Sequence, residues 1–198
     1  MLSDARIQAL RTALDQHRTP PPTPDSSLSQ AAVLLVLRLT DPLELLLIER
    51  AEKEGDPWSG HMALPGGRRE PRDADLLHTA LRETWEETGI RVPHEYVLGA
   101  LDQLRPSYRR RFSLLIAPFV AVVPLDTRGV PAPAEVETVL WVPLPHLASE
   151  AAVDEILIEL EEGSTAFPAL SYQDYVIWGL THRIITGFME VAREAGVV

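Results

Sequence analysis

Apolar and polar residues alternate along this chain with two periods, and the switches between them mark its elements. Near the start, Ile7, Leu10 and Leu14 recur at helical spacing behind Ser3 and Asp4, residue types that cap helix N-termini. That helix must stop at Thr19-Pro20-Pro21-Pro22-Thr23-Pro24, an extended tract that reads as a stiff connector. Ala31 to Leu37 and Leu43 to Ile48 are short apolar runs separated by Thr40-Asp41-Pro42, and they predict a pair of strands. Glu52 to Gly67 is rich in glycine and has no period, so it predicts a long loop. From Asp73 to Thr88 the period is helical again, and Gly89 is the residue favoured just past a helix end. Leu77, Leu81, Thr84, Trp85 and Thr88 share one arc of that helix and are expected to face the core.

Val97 to Leu104, Phe112 to Val123 and Thr138 to Val142 predict further strands, with Pro131-Ala132-Pro133 marking a loop before the last. In the tail, Val176, Ile177, Leu180, Ile184, Phe188 and Val191 form one apolar stripe and predict a closing helix. Strands with helices inserted between them imply an α/β (α+β) fold, a mixed sheet flanked by helices. The expected organisation is a helix and proline-rich linker over residues 1–24, followed by a single domain over 25–198.

Charge narrows the partners. With 18 Lys+Arg against 29 Asp+Glu the formal net charge is -11, which disfavours nucleic acid and anionic membranes. A phosphate-bearing ligand would then need local cations or a metal. The chain has no cysteine, so disulfides, thiolate metal sites and cysteine nucleophiles are excluded, and a reducing cytoplasm fits. The longest apolar run, Leu114 to Leu125, is broken by Pro118 and Pro124 and falls short of the ~18 residues that span a bilayer. A soluble, cytoplasmic protein is expected; a homodimer is left open.

The informative chemistry lies between Gly66-Gly67-Arg68-Arg69 and Arg82-Glu83-Thr84-Trp85-Glu86-Glu87-Thr88-Gly89-Ile90. On a helix Glu87 lies about 40° from Glu83, and Glu86 about 60° to the other side, so three carboxylates share an arc of roughly 100°. A run of charge is usually a solvated face, with Arg82 paired to Glu86. Three close carboxylates also repel one another, and a hard divalent cation with oxygen ligands is their natural partner.

The stretch resembles the Nudix box, G-x5-E-x7-R-E-U-x-E-E-x-G-U, where U is a bulky aliphatic residue. Arg82, Glu83, Glu86, Glu87, Gly89 and Ile90 match its second half, with Thr84 where the family has an aliphatic residue. The first half departs: Arg68 and Ala74 stand where the box has Gly and Glu, Gly67 sits one residue early, and Asp73 or Asp75 replaces the glutamate. Leu46-Leu47-Ile48-Glu49-Arg50, Trp58 through Gly67, Thr79-Ala80-Leu81-Arg82-Glu83 and Ile177-Trp178-Gly179-Leu180-Thr181 are similar to the coenzyme A diphosphatase branch. Ile48, Gly55 and Leu64 depart from that branch, which has Thr, Arg and Phe near these positions. The likeness runs from Ala31 to Met189, most of the chain.

The resemblance implies a Nudix fold and a Mg2+ ion, or Mn2+ in its place, bridging carboxylates and a diphosphate while water attacks phosphorus. It implies Glu83 and Glu87 as principal metal ligands, Glu86 as a third, and Arg82 as the residue that orients them. The general base is then a box glutamate or one from a later loop, where Glu135 and Glu137 are the candidates. Expected substrate-binding positions are Arg50, Gly66, Gly67 and Arg68 and the run Arg109-Arg110-Arg111, with Tyr108 able to stack on a base. The implied substrate is a small nucleotide: coenzyme A or acyl-CoA first, then ADP-ribose, nucleotide sugars or other nucleoside diphosphate derivatives. A non-catalytic Nudix ligand-binding domain would be expected to lose the carboxylates that are intact here.

Overall fold

The computed structural model describes residues 1–17, 29–53, 55, 59–105, 114–160 and 163–198, and for Leu160 the backbone alone. The tract Thr19 to Pro24, the expected domain boundary, Trp58, Phe112 and Tyr108 with Arg109-Arg110-Arg111 lie outside the described residues.

The apolar run before Thr40 becomes β1 (Ser29–Arg38), which pairs in parallel with β6 (Leu114–Val123) over its whole length. β2 (Glu44–Arg50) joins antiparallel at one end of β1, and β4 (Gly66–Arg68) joins at the other. β3 (Met62–Ala63) and β7 (Val136–Pro143) both pair with β2, while β5 (Val97–Ala100) pairs with β6. Among the described residues this makes a seven-stranded mixed sheet. β3 and β4 fall inside the stretch expected to be loop. They are too short to show a period, and their pairing is supplied by β1 and β2 from elsewhere in the chain.

Alternate residues of β1 serve two cores, as expected of a strand covered on both faces. Ala32, Leu34 and Val36 pack with Leu46, Ala80 and Ile90 beneath α2 (Leu76–Thr88). Ala31, Leu35 and Leu37 pack on the other face with Leu10 and Leu14 of α1 (Ala5–Gln16) and Ile184 and Phe188 of α4 (Gly179–Glu194). The molecule is thus an α/β/α sandwich, and α1, capped by Asp4, is part of its core. Among the described residues no helix is long and apolar enough to cross a membrane.

Two local expectations are corrected. Val176 and Ile177 belong to strand β10 (Tyr175–Trp178), not to the last helix, because Gly179 at φ 64° breaks the chain direction between them. β10 joins β9 (Gly163–Tyr172) and β8 (Val153–Leu160) in a separate three-stranded antiparallel sheet. Trp85 is 43% exposed rather than in the core, with the Arg91 guanidinium 4.6 Å from its ring centre. The face of α2 that is buried carries Thr79, Ala80, Thr84, Glu87 and Thr88.

Candidate active site

Helix α2 is fixed at both ends. Asp75 caps its start by accepting from the His78 N–H at 2.8 Å, and Gly89 closes it in the left-handed conformation. Thr84, the polar residue where an aliphatic one was expected, satisfies its buried hydroxyl by donating to the Ala80 carbonyl at 2.7 Å. The register so fixed aims Glu83 and Glu87 at strand β4.

Glu87 is 4% exposed, and its Oε2 accepts from the Gly66 N–H at 2.9 Å. Burial pushes its carboxyl up to about 8, and repulsion from Glu83 and Glu135 adds to this while the Gly66 bond and Arg50 oppose it. Burial raises Glu83 as well, against the pull of Arg82. Gly66 has φ 155°, and a Cβ there would meet the Ala32 carbonyl oxygen at 2.3 Å. A Cβ on Gly67 would lie 2.5 Å from the Glu83 carboxyl carbon, so both glycines allow backbone and carboxylate to touch.

Behind this pair sits Arg82. Its Nε and Nη2 each donate to one Asp73 oxygen at 2.9 Å, and its Nη1 donates to Glu83 at 2.9 Å and Glu86 at 2.8 Å. The guanidinium holds Asp73 well below the usual carboxylate range. The two aspartates left open by the sequence therefore separate: Asp73 is buried against Arg82, and Asp75 caps a helix. Glu86 turns away toward Arg82 and Arg72, which donates to it at 3.1 Å.

Glu83, Glu87 and Glu135 line a cavity of about 180 Å3 together with Arg50, Lys53 and the backbone of Ala51, Gly66 and Gly67. Glu135 arrives from a loop tied to α2 by the Ala132 N–H on the Glu87 carbonyl, and to β2 by the Ala51 N–H on its own carbonyl. Two expected residues, Glu137 and Arg68, stand elsewhere, and nearby Arg69 and His61 have structural partners. Glu137 is exposed on β7, and Arg68 is exposed with its carbonyl accepting from Arg82. Arg69 closes the loop by donating to Gln30 and to the carbonyls of Asp73 and Ala74. His61 packs its ring against Trp178 at 5.0 Å. Lys53 was not anticipated; the one signal for it is that the chain contains no other lysine.

Among the described residues no group of three or more His, Asp or Glu side chains is placed to hold a metal ion by itself. The donor chemistry nonetheless fits a hard cation that takes the rest of its shell from water and substrate. Glu83 and Glu87 are neighbouring carboxylates whose anionic forms burial disfavours and a bound cation would stabilise.

The NUDIX domain model matches residues 28–160, from just before β1 to the end of β8. The chain belongs to the Nudix family. Among its relatives, the human mitochondrial coenzyme A diphosphatase NUDT8 is 34% identical over 172 residues, covering 81% of this chain and 67% of that protein. The Nudix hydrolase NudL of Photorhabdus laumondii is 32% identical over 168 residues, covering 84% and 87%. A MutT/nudix family protein from Enterococcus faecalis shares the fold with a TM-score of 0.56 at 22% identity, over 92% of this chain and 68% of that one. In this Nudix hydrolase Gly67 abuts the Glu83 carboxylate.

Proposed function

We propose that this Nudix hydrolase cleaves the diphosphate bond of coenzyme A or acyl-CoA, releasing 3',5'-ADP and (acyl-)4'-phosphopantetheine. The observation that carries the chemistry is the convergence of Glu83, Glu87 and Glu135 with Arg50 and Lys53 around one small cavity. The coenzyme A choice rests on the likeness to the NUDT8 diphosphatases. At about 180 Å3 the cavity is smaller than the roughly 300–1,000 Å3 of sites that enclose a drug-sized ligand. It receives the charged centre of the substrate, and the nucleoside and pantetheine arms lie across the rim.

Glu83 and Glu87 would hold the divalent ion, which when bound supplies charge for the developing phosphate oxyanions and lowers the pKa of a water. Arg82 fixes Glu83, and the Gly66 N–H fixes Glu87, so neither carboxylate has to reorganise during the reaction. Arg50 binds the substrate's anionic oxygens. Glu135, which lines the same cavity and is tied down through its backbone, takes the proton of the attacking water; Glu137 does not line the cavity. Mass-spectrometric product analysis with Mg2+ across CoA, dephospho-CoA, ADP-ribose, NADH and nucleoside triphosphates tests the assignment. CoA should give the highest kcat/KM; no cleavage of CoA beside brisk cleavage of ADP-ribose would replace the substrate and keep the chemistry.

A further inference from the structure

Lys53 is the only lysine among the chain's 18 Lys+Arg residues, and the rest are arginine. Its place is the wall of the candidate cavity that Glu83 and Glu87 also line. The backbone there is pinned: the Lys53 N–H donates to the Ser59 hydroxyl at 2.8 Å, and that hydroxyl donates back to the Lys53 carbonyl at 2.9 Å. On either side of this clasp, the Arg50 N–H donates to the His61 carbonyl and the Gly60 N–H to the Arg50 carbonyl. The Lys53 backbone is therefore tied to Ser59 just beyond the end of β2, while the side chain itself is exposed.

The chemistry of the pair of cations is unequal. Arg50 extends the end of a strand, has its charge felt by Glu87, and presents a rigid planar fork. Lys53 carries a compact charge on a flexible stem, and a point charge of this kind suits a tetrahedral phosphate whose position changes between substrates. The cavity wall carries the carboxylates of Glu83 and Glu135 beside Glu87, so a diphosphate entering it meets negative charge that Lys53 offsets on the solvent side.

Resting on the diphosphatase reading above, we propose that the Lys53 ammonium binds a non-bridging oxygen of the substrate diphosphate. It captures substrate at the rim and leaves the bond-breaking step to the residues around α2. Lys53→Met should then raise KM about tenfold while kcat changes no more than about threefold, and Lys53→Arg should restore most of the loss.

Because Lys53 is unique, its amine can also be followed without turnover. Reductive methylation with formaldehyde and cyanoborohydride, read by peptide mass spectrometry, labels Lys53 and the chain's α-amine. Saturating α,β-methylene-ADP with Mg2+ should slow labelling of Lys53 at least fivefold and leave the α-amine unchanged. Equal KM for Lys53→Met and wild type on a cleaved substrate, or no selective protection, would overturn the proposal with the hydrolase reading intact. Absence of any diphosphate hydrolysis by wild type would remove that reading and this proposal with it.

Discussion

Replacing Glu87 by Gln separates the two demands made on this carboxylate. In the fold its carboxyl titrates at about 8, against an ordinary 4.5, so the folded chain binds this proton more tightly than the unfolded chain. Between those values the unfolded state has released the proton and the fold has not, and stability falls as pH rises through the window. At 1.36 kcal/mol per pKa unit the weakening amounts to about 4–5 kcal/mol once the carboxylate is ionised, and roughly 3–4 kcal/mol of it accrues between pH 5 and pH 8.5. Gln offers an acceptor to the Gly66 N–H and has nothing to ionise. Burying its extra amide costs about 1–3 kcal/mol at every pH, so the slope and not the absolute stability carries the information. Urea unfolding in EDTA at both pH values is the assay. Groups that titrate alike in the two proteins cancel in the difference. Wild type should lose several kcal/mol across the window relative to Glu87→Gln, Mg2+ should restore it at pH 8.5 only in wild type, and kcat/KM of the variant should fall at least a thousandfold. An identical pH slope in the two proteins would refute the burial argument.

Three further outcomes follow from the same network. Asp73→Ala leaves the Arg82 guanidinium, 12% exposed, without its bidentate partner, and should cost about 3–5 kcal/mol in urea unfolding; Asp75→Ala removes only a helix cap and should cost about 1 kcal/mol with activity largely kept. Gly67→Ala drives a methyl group against the Glu83 carboxylate, so kcat should fall at least tenfold while the melting temperature moves by no more than a few degrees, because the far end of Glu83 can shift; unchanged kcat would mean that Glu83 is not held where the chemistry needs it.

Helix α2 was legible because several signals agreed over it: the 3.6 period, Gly89 at its end and the box residues. Its inward face was not, since Glu87 and Thr84 are buried through contacts with Gly66 and the Ala80 carbonyl that no period encodes. The strands that fill the sandwich read as apolar runs because both their faces are covered. The β8–β9 hairpin went unread for the opposite reason: Val153, Asp154, Glu155, Leu157 and Glu159 are all exposed, so neither face imposes an apolar alternation. Val176 and Ile177 extended the helical stripe because neighbouring apolar residues suit either period until Gly179 is seen with φ 64°. The cavity wall drew on four separate stretches of sequence, which is why Glu135 and Glu137 could not be ranked beforehand and Lys53 was missed.

The measurement that bears most directly on the central claim is product analysis of CoA hydrolysis in 18O-water, run with Mg2+ and with EDTA. The account predicts 3',5'-ADP and 4'-phosphopantetheine in equal amounts, one 18O in one of the two products, and no reaction in EDTA or with Glu83→Gln. Intact CoA in the presence of Mg2+, or the same products formed at the same rate in EDTA, would contradict it.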